Sequence, residues 1–135
     1  CLEITDTELL LDNNVVQANL KALRKLGAKI ALDDFGTGYS SLSYLGKYPI
    51  DILKIDKSLI ANLELDRGNQ VIVRALRDLA ATKNLGLIAE GVETEEQYDL
   101  LTTFHCNEIQ GYIFSKPQPS EAICQTFDPI CTEEK

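Results

Sequence analysis

The chain has 135 residues, enough for one ordinary domain and too few for two. Its 44% apolar and 25% charged residues are those of a globular protein, which excludes a disordered chain. A net charge of −8 without a Lys/Arg cluster argues against duplex nucleic acid, whose binding needs a positive footprint. An acidic protein can still take a phosphorylated ligand when divalent cations stand between the two sets of negative charge.

The first predicted strand is Leu2-Glu3-Ile4-Thr5, with Leu2 and Ile4 on one side and Glu3 on the other. Asp12 or Asn13 can cap a helix whose apolar positions Val16, Leu20, Leu23 and Leu26 keep the helical period, and Gly27 is placed to stop it. Lys29-Ile30-Ala31-Leu32-Asp33-Asp34 reads as a second strand, followed by a short helix through Ser40–Leu45 that ends before Pro49. The third strand is Ile52–Asp56, and a long helix over Arg67–Lys83 places Ile72, Leu76, Leu79 and Ala80 on one face, with Gly86 after it. Leu87-Ile88-Ala89-Glu90 is the fourth strand, and Thr94-Glu95-Glu96-Gln97 is a capping box that opens a helix through about Phe104. Glu108-Ile109-Gln110 is the fifth strand; Ser120 can cap a last helix ending near Phe127, which leaves 128–135 as a loose tail after an ordered part over 2–127.

Strand alternating with helix is the signature of a parallel sheet built from right-handed crossovers. Counting by twos puts Asp33, Lys54, Glu90 and Gln110 on the side of Glu3, opposite Leu32, Leu53, Ile55, Ala89 and Ile109. Unpaired buried charge is expensive, so stability alone does not gather carboxylates inside a sheet. The pattern predicts an active site at the C-terminal strand ends, where α/β barrels and open α/β sheets place their ligands. The fold class is α/β; five βα units fit the C-terminal part of a TIM-like (β/α)8 barrel, which takes roughly 250 residues when complete. An open five-stranded sheet is the alternative.

No apolar run approaches the roughly 18 residues of a membrane span, and there is no signal-peptide pattern. A cytoplasmic protein without direct membrane contact is expected, either free or as the cytoplasmic part of a larger, membrane-anchored one. Cys1, Cys106, Cys124 and Cys131 form no C-x-x-C pair and show no metal-ligand spacing with His105, so they read as reduced thiols. The chain opens on Cys1 with a strand already under way and reads as one incomplete domain, a piece of something longer.

The most specific string is Asp33-Asp34-Phe35-Gly36-Thr37-Gly38-Tyr39-Ser40-Ser41-Leu42. Paired aspartates at a strand end can bridge two cations, and Gly36 and Gly38 allow a tight, movable loop beside them. One lysine, Lys54, cannot neutralise Glu3, Asp33, Asp34 and Glu90 together, so cations are favoured; all-oxygen ligands favour Mg²⁺ or Mn²⁺. Lys54 can balance charge or orient a water or phosphate oxygen, and Glu90 can hold a metal or accept a proton; both choices stay open. Tyr39 and Tyr112 are read as packing residues, and His105 is given no catalytic role.

Taken with Leu2-Glu3-Ile4-Thr5, Leu53-Lys54-Ile55-Asp56, Ala89-Glu90-Gly91-Val92-Glu93-Thr94 and Gln110-Gly111-Tyr112-Ile113-Phe114-Ser115-Lys116-Pro117, that string closely resembles the EAL domain, the cyclic di-GMP phosphodiesterase family of bacteria. The resemblance implies a (β/α)8-type barrel that hydrolyses cyclic di-GMP to linear pGpG with two Mg²⁺ or Mn²⁺ ions, in a parent that is a homodimer or carries regulatory domains. By the same resemblance Glu3, Asp33 and Asp34 are metal ligands, Lys54 and Glu90 are catalytic, Gln110 is a pocket residue, and Glu93 supports the glycine loop. The sequence departs from the pattern at Asp6, where the family has a glutamate that holds this loop, and lacks the upstream Glu-Ala-Leu and Asn ligands. The 135 residues alone are therefore expected to be inactive. A degenerate module that binds cyclic di-GMP or a protein without turnover is the alternative. An enolase-type barrel, which also pairs a strand-end lysine with Mg²⁺ carboxylates, is disfavoured by the Asp-Asp-Phe-Gly and Glu-Gly-Val-Glu strings.

Overall fold

The computed structural model describes residues 1–5, 14–36, 44–106 and 108–126. Asp6, the Asp12 or Asn13 cap, most of the glycine loop and the 128–135 tail lie outside the described residues. Five strands, β1 (Leu2–Thr5), β2 (Ile30–Phe35), β3 (Ile52–Ile55), β4 (Gly86–Glu90) and β5 (Glu108–Gln110), form one sheet in the order β1-β2-β3-β4-β5. Every pairing is parallel. Helices follow the strands: α1 (Asn14–Lys25), α2 (Tyr44–Lys47), α3 (Lys57–Ile60), α4 (Arg67–Lys83), α5 (Glu95–Thr103) and α6 (Ser120–Thr126).

The strands are apolar because most of their residues are covered. Leu32, Leu53, Ile55 and Ala89 are buried together with Leu63, Val73, Leu76 and Leu101 from the helical layer and its connections. The face of α4 differs from the expected one. Val73, Leu76 and Ala80 are the buried positions, one helical turn or two apart, whereas Ile72 is 42% exposed. Leu26, expected on the apolar face of α1, is exposed because the helix ends at Lys25 and Gly27 turns the chain at φ 90°. The last turn of α4 is closed by Asn84 in the left-handed region rather than by Gly86, which opens β4. The short helix before Pro49 is described over Tyr44–Lys47, and the expected start at Ser40 lies outside the described residues.

Sequence alternation did not announce α3, because four residues are too few to show a helical period. Asp56 caps it, accepting the Ser58 amide at 2.8 Å, and this bond holds its carboxyl below the usual range against the opposing effect of burial. Cys1 and Cys106 are free thiols, and burial pushes Cys106 up. No helix among the described residues is long and apolar enough to cross a membrane.

Asp51 joins three elements at the N-terminal end of the sheet. One carboxylate oxygen meets Arg24 of α1 at 2.6 Å, the other accepts the Ile30 amide at 3.0 Å, and its carbonyl accepts the Gly86 amide at 2.9 Å. Asp51→Ala strands the amide of the fully buried Ile30. The expected loss is about 1–3 kcal/mol in denaturant melting, with an unchanged slope. A loss inside experimental error would show that water replaces the carboxylate.

Candidate active site

The sheet register brings the charged strand ends together. Thr5 pairs with Asp33, Lys54 with Ile88, and Glu90 with Gln110, so Glu3, Asp33, Lys54, Glu90 and Gln110 share one face, as counting by twos predicted. Between Leu32 and Phe35 the pairing of β2 with β3 slips: three steps along β2 match two along β3. The extra residue falls at Asp33-Asp34, and Asp34 takes φ 56° in the left-handed region, while Asp33 Oδ1 accepts the Asp34 amide at 3.0 Å. Strict alternation would turn Asp34 away from Asp33. The bulge frees it from that rule.

Lys54 is the centre of the cluster. It is 4% exposed, and its Nζ lies 2.7 Å from Glu90 Oε1, 2.9 Å from Glu3 Oε1 and 3.2 Å from Asp33 Oδ1. Burial alone would pull its pKa down. The hydrogen bonds to Glu90, Glu3 and Asp33 outweigh that effect and hold it above the ordinary lysine value, so the ammonium is charged at any physiological pH. Three carboxylates around one cation leave two negative charges uncompensated at this point.

Beside the cluster opens a cavity of about 360 Å³. Of the expected site residues, Asp34, Glu90, Glu93 and Gln110 line it. Glu90 belongs to both the cavity and the Lys54 cluster, whereas Glu3 and Asp33 meet at Lys54 without lining the cavity. Asp56 and Lys57 also line it and were not singled out from sequence; their signal was the position of Asp56 directly at the end of a charged strand. Tyr112, read as a packing residue, is corrected: it is 53% exposed on the cavity wall, with the Lys116 ammonium 5.6 Å from its ring.

The donor set suits a hard divalent cation: it is all carboxylate, carries surplus negative charge and lies at the open ends of the strands. As the side chains stand, no three His, Cys, Asp or Glu groups among the described residues are grouped to hold a metal ion. The place between Glu3, Asp33 and Glu90 is filled by the Lys54 ammonium.

Parallel βα units in sequential order, with a charged cluster at the strand ends, are the arrangement found in α/β barrels. The chain belongs to the EAL domain family, whose pattern matches residues 1–117. It is 41% identical over 122 residues to the cyclic di-GMP phosphodiesterase NbdA of Pseudomonas aeruginosa, covering 90% of this chain and 16% of that protein. The crystal structure of the EAL domain of Mycobacterium smegmatis DcpA superposes with a TM-score of 0.88 at 41% identity, covering 96% of this chain and 58% of that one. A manganese/cyclic di-GMP complex of Klebsiella pneumoniae BlrP1 matches with a TM-score of 0.80 at 36% identity, covering 85% of this chain and 29% of that one. The five strands are thus part of a TIM-like barrel, and the chain spans a fifth or less of the curated relatives.

Proposed function

We propose that this chain forms the C-terminal part of a domain that hydrolyses cyclic di-GMP to linear pGpG with two divalent cations, Mg²⁺ or Mn²⁺. The observation that carries the reading is Lys54, buried and charged among Glu3, Asp33 and Glu90, with Glu90 also lining the cavity beside the cluster. NbdA and BlrP1 supply the chemical class of the ligand, and BlrP1 the class of the cation.

Glu3, Asp33 and Asp34 would hold the cations. Bound there, divalent cations supply a nucleophilic water at neutral pH and offset charge on the phosphoryl oxygens. Lys54, fixed by its carboxylates, presents a permanent positive charge to a phosphate oxygen or to the attacking water. Glu90, shared by cluster and cavity, would accept a proton from the attacking water. Gln110 and Tyr112 shape the wall on which the nucleotide would rest, and Glu93, on the same wall, would support the glycine loop.

A module that binds cyclic di-GMP or a protein without turnover is the second reading. Cation dependence separates the two. In the protein that carries the whole domain, hydrolysis should vanish with chelator, return with Mg²⁺ or Mn²⁺, and stay low with Ca²⁺, whose looser coordination positions a nucleophile poorly. Binding of cyclic di-GMP without hydrolysis under every cation would establish the second reading. Full activity in chelator would remove the metal mechanism.

A further inference from the structure

Among the described residues two polar side chains are buried, Lys54 and Gln97, each 4% exposed. The carboxylates account for Lys54. A buried amide is costly unless its atoms are paired, and the partners of Gln97 reach well beyond its own helix. Its Oε1 accepts the Thr94 amide at 3.3 Å and the Glu93 amide at 2.9 Å, and its Nε2 donates to the Ala61 carbonyl at 3.4 Å. A capping box requires only the bond to the cap residue, Thr94. The shorter bond goes to Glu93, outside the helix and on the cavity wall. The third goes to the residue that closes α3, 36 positions away.

The same connection is gripped by backbone on its other sides. The Val92 amide donates to the Gln110 carbonyl at 3.2 Å, and the Ile113 amide donates to the Val92 carbonyl at 3.0 Å. Gly111 passes so close that a Cβ would stand 2.0 Å from the Val92 oxygen; a Cβ on Gly91 would stand 2.5 Å from the Lys57 Cβ. Residues 91–94 are wedged between α3 and the segment after β5, and Gln97 is the side chain that closes the wedge.

We propose that Gln97 is a positioning residue. It fixes the Glu93 backbone against the end of α3, so that Glu93, and Glu90 just before it, keep their places at the cavity. The proposal deepens the phosphodiesterase reading, and its kinetic arm rests on that reading, but the geometry can be tested without turnover.

The test compares Gln97→Met with Gln97→Glu in the full-length protein. Gln97→Met keeps the bulk and loses all three bonds; Gln97→Glu keeps an acceptor for both amides at a helix N-terminus that favours negative charge. Hydrogen exchange at the Glu93 and Thr94 amides should quicken by about tenfold or more in Gln97→Met and by clearly less in Gln97→Glu, which keeps the acceptor for both amides but loses the donor to the Ala61 carbonyl. The kcat for cyclic di-GMP should fall about tenfold in Gln97→Met with KM little changed, and recover only in part in Gln97→Glu, where the tie to Ala61 is still missing. Added to Glu93→Gln, Gln97→Met should cost clearly less than it does alone, because both act through one segment. Unchanged exchange in Gln97→Met, or equal kcat losses in both variants that track their melting temperatures, would overturn the proposal. If the unaltered protein fails to hydrolyse cyclic di-GMP with Mg²⁺ or Mn²⁺, the phosphodiesterase reading falls, and the exchange result alone decides for or against the clamp.

Discussion

Asp33→Asn in the protein that carries the whole domain should abolish hydrolysis while leaving the fold nearly untouched. The amide keeps the volume of the carboxyl, and its oxygen can still accept from Lys54 and from the Asp34 amide, the two bonds that Asp33 Oδ1 makes now. Only the charge is lost. On the proposed function that charge helps to hold both cations, so activation of water and stabilisation of the phosphoryl oxygens fail together, a loss of about 10³-fold or more in kcat. Melting should move by no more than about 1 kcal/mol, since one of three crowded carboxylates becomes neutral while its hydrogen bonds remain. Near-normal turnover in excess Mg²⁺ would remove Asp33 from the cation site. A collapsed melting temperature would instead give it a mainly structural role.

What could be read from the sequence follows from which physical rule was local. The side on which Glu3, Asp33, Lys54, Glu90 and Gln110 lie needs only the two-residue period of a strand, and the register of the sheet agrees with it. Asp34 breaks that period, because the bulge that re-aims it is a mismatch between two strands and appears only when β2 lies beside β3. Val73 in place of Ile72 on the buried face of α4 is an error of one position, about 100° around the helix, in a run where Val71, Ile72 and Val73 are all apolar. Tyr112 read as packing because an aromatic ring after a strand usually is; its exposure depends on the loop that follows β5. Gln97 was legible as a cap but not as a clamp, since Ala61 is brought to it by tertiary folding alone.

Lys54→Met should show whether the lysine serves only to balance charge. Its removal leaves Glu3, Asp33 and Glu90 converging on a place without a cation, where all three had an oxygen within 3.2 Å of Nζ. Breaking a buried charge pair from one side costs about 3–5 kcal/mol, and two of these carboxylates are mostly buried, so a melting loss near the lower end is expected in chelator. The pH dependence of the unaltered protein has a definite sign. The Lys54 pKa is raised by folding, so its contribution is complete below the unfolded lysine value of about 10.4 and is lost only as pH climbs through the higher folded value. Lys54 therefore adds no slope to stability between pH 5 and 9. In Lys54→Met, millimolar Mn²⁺ should recover part of the lost stability, because an ion that binds the folded state alone stabilises it by mass action, and the recovery should exceed any effect of Mn²⁺ on the unaltered protein. On the proposed function hydrolysis should stay at least about 100-fold down even when the fold is restored, since Mn²⁺ would replace the charge but not the N–H donor that this function assigns to Lys54. Recovery of both stability and turnover with Mn²⁺ would make Lys54 a counter-ion and nothing more. Melting unchanged in chelator would mean that the three carboxylates do not need the lysine, and the cluster would lose its claim to be the centre of the site.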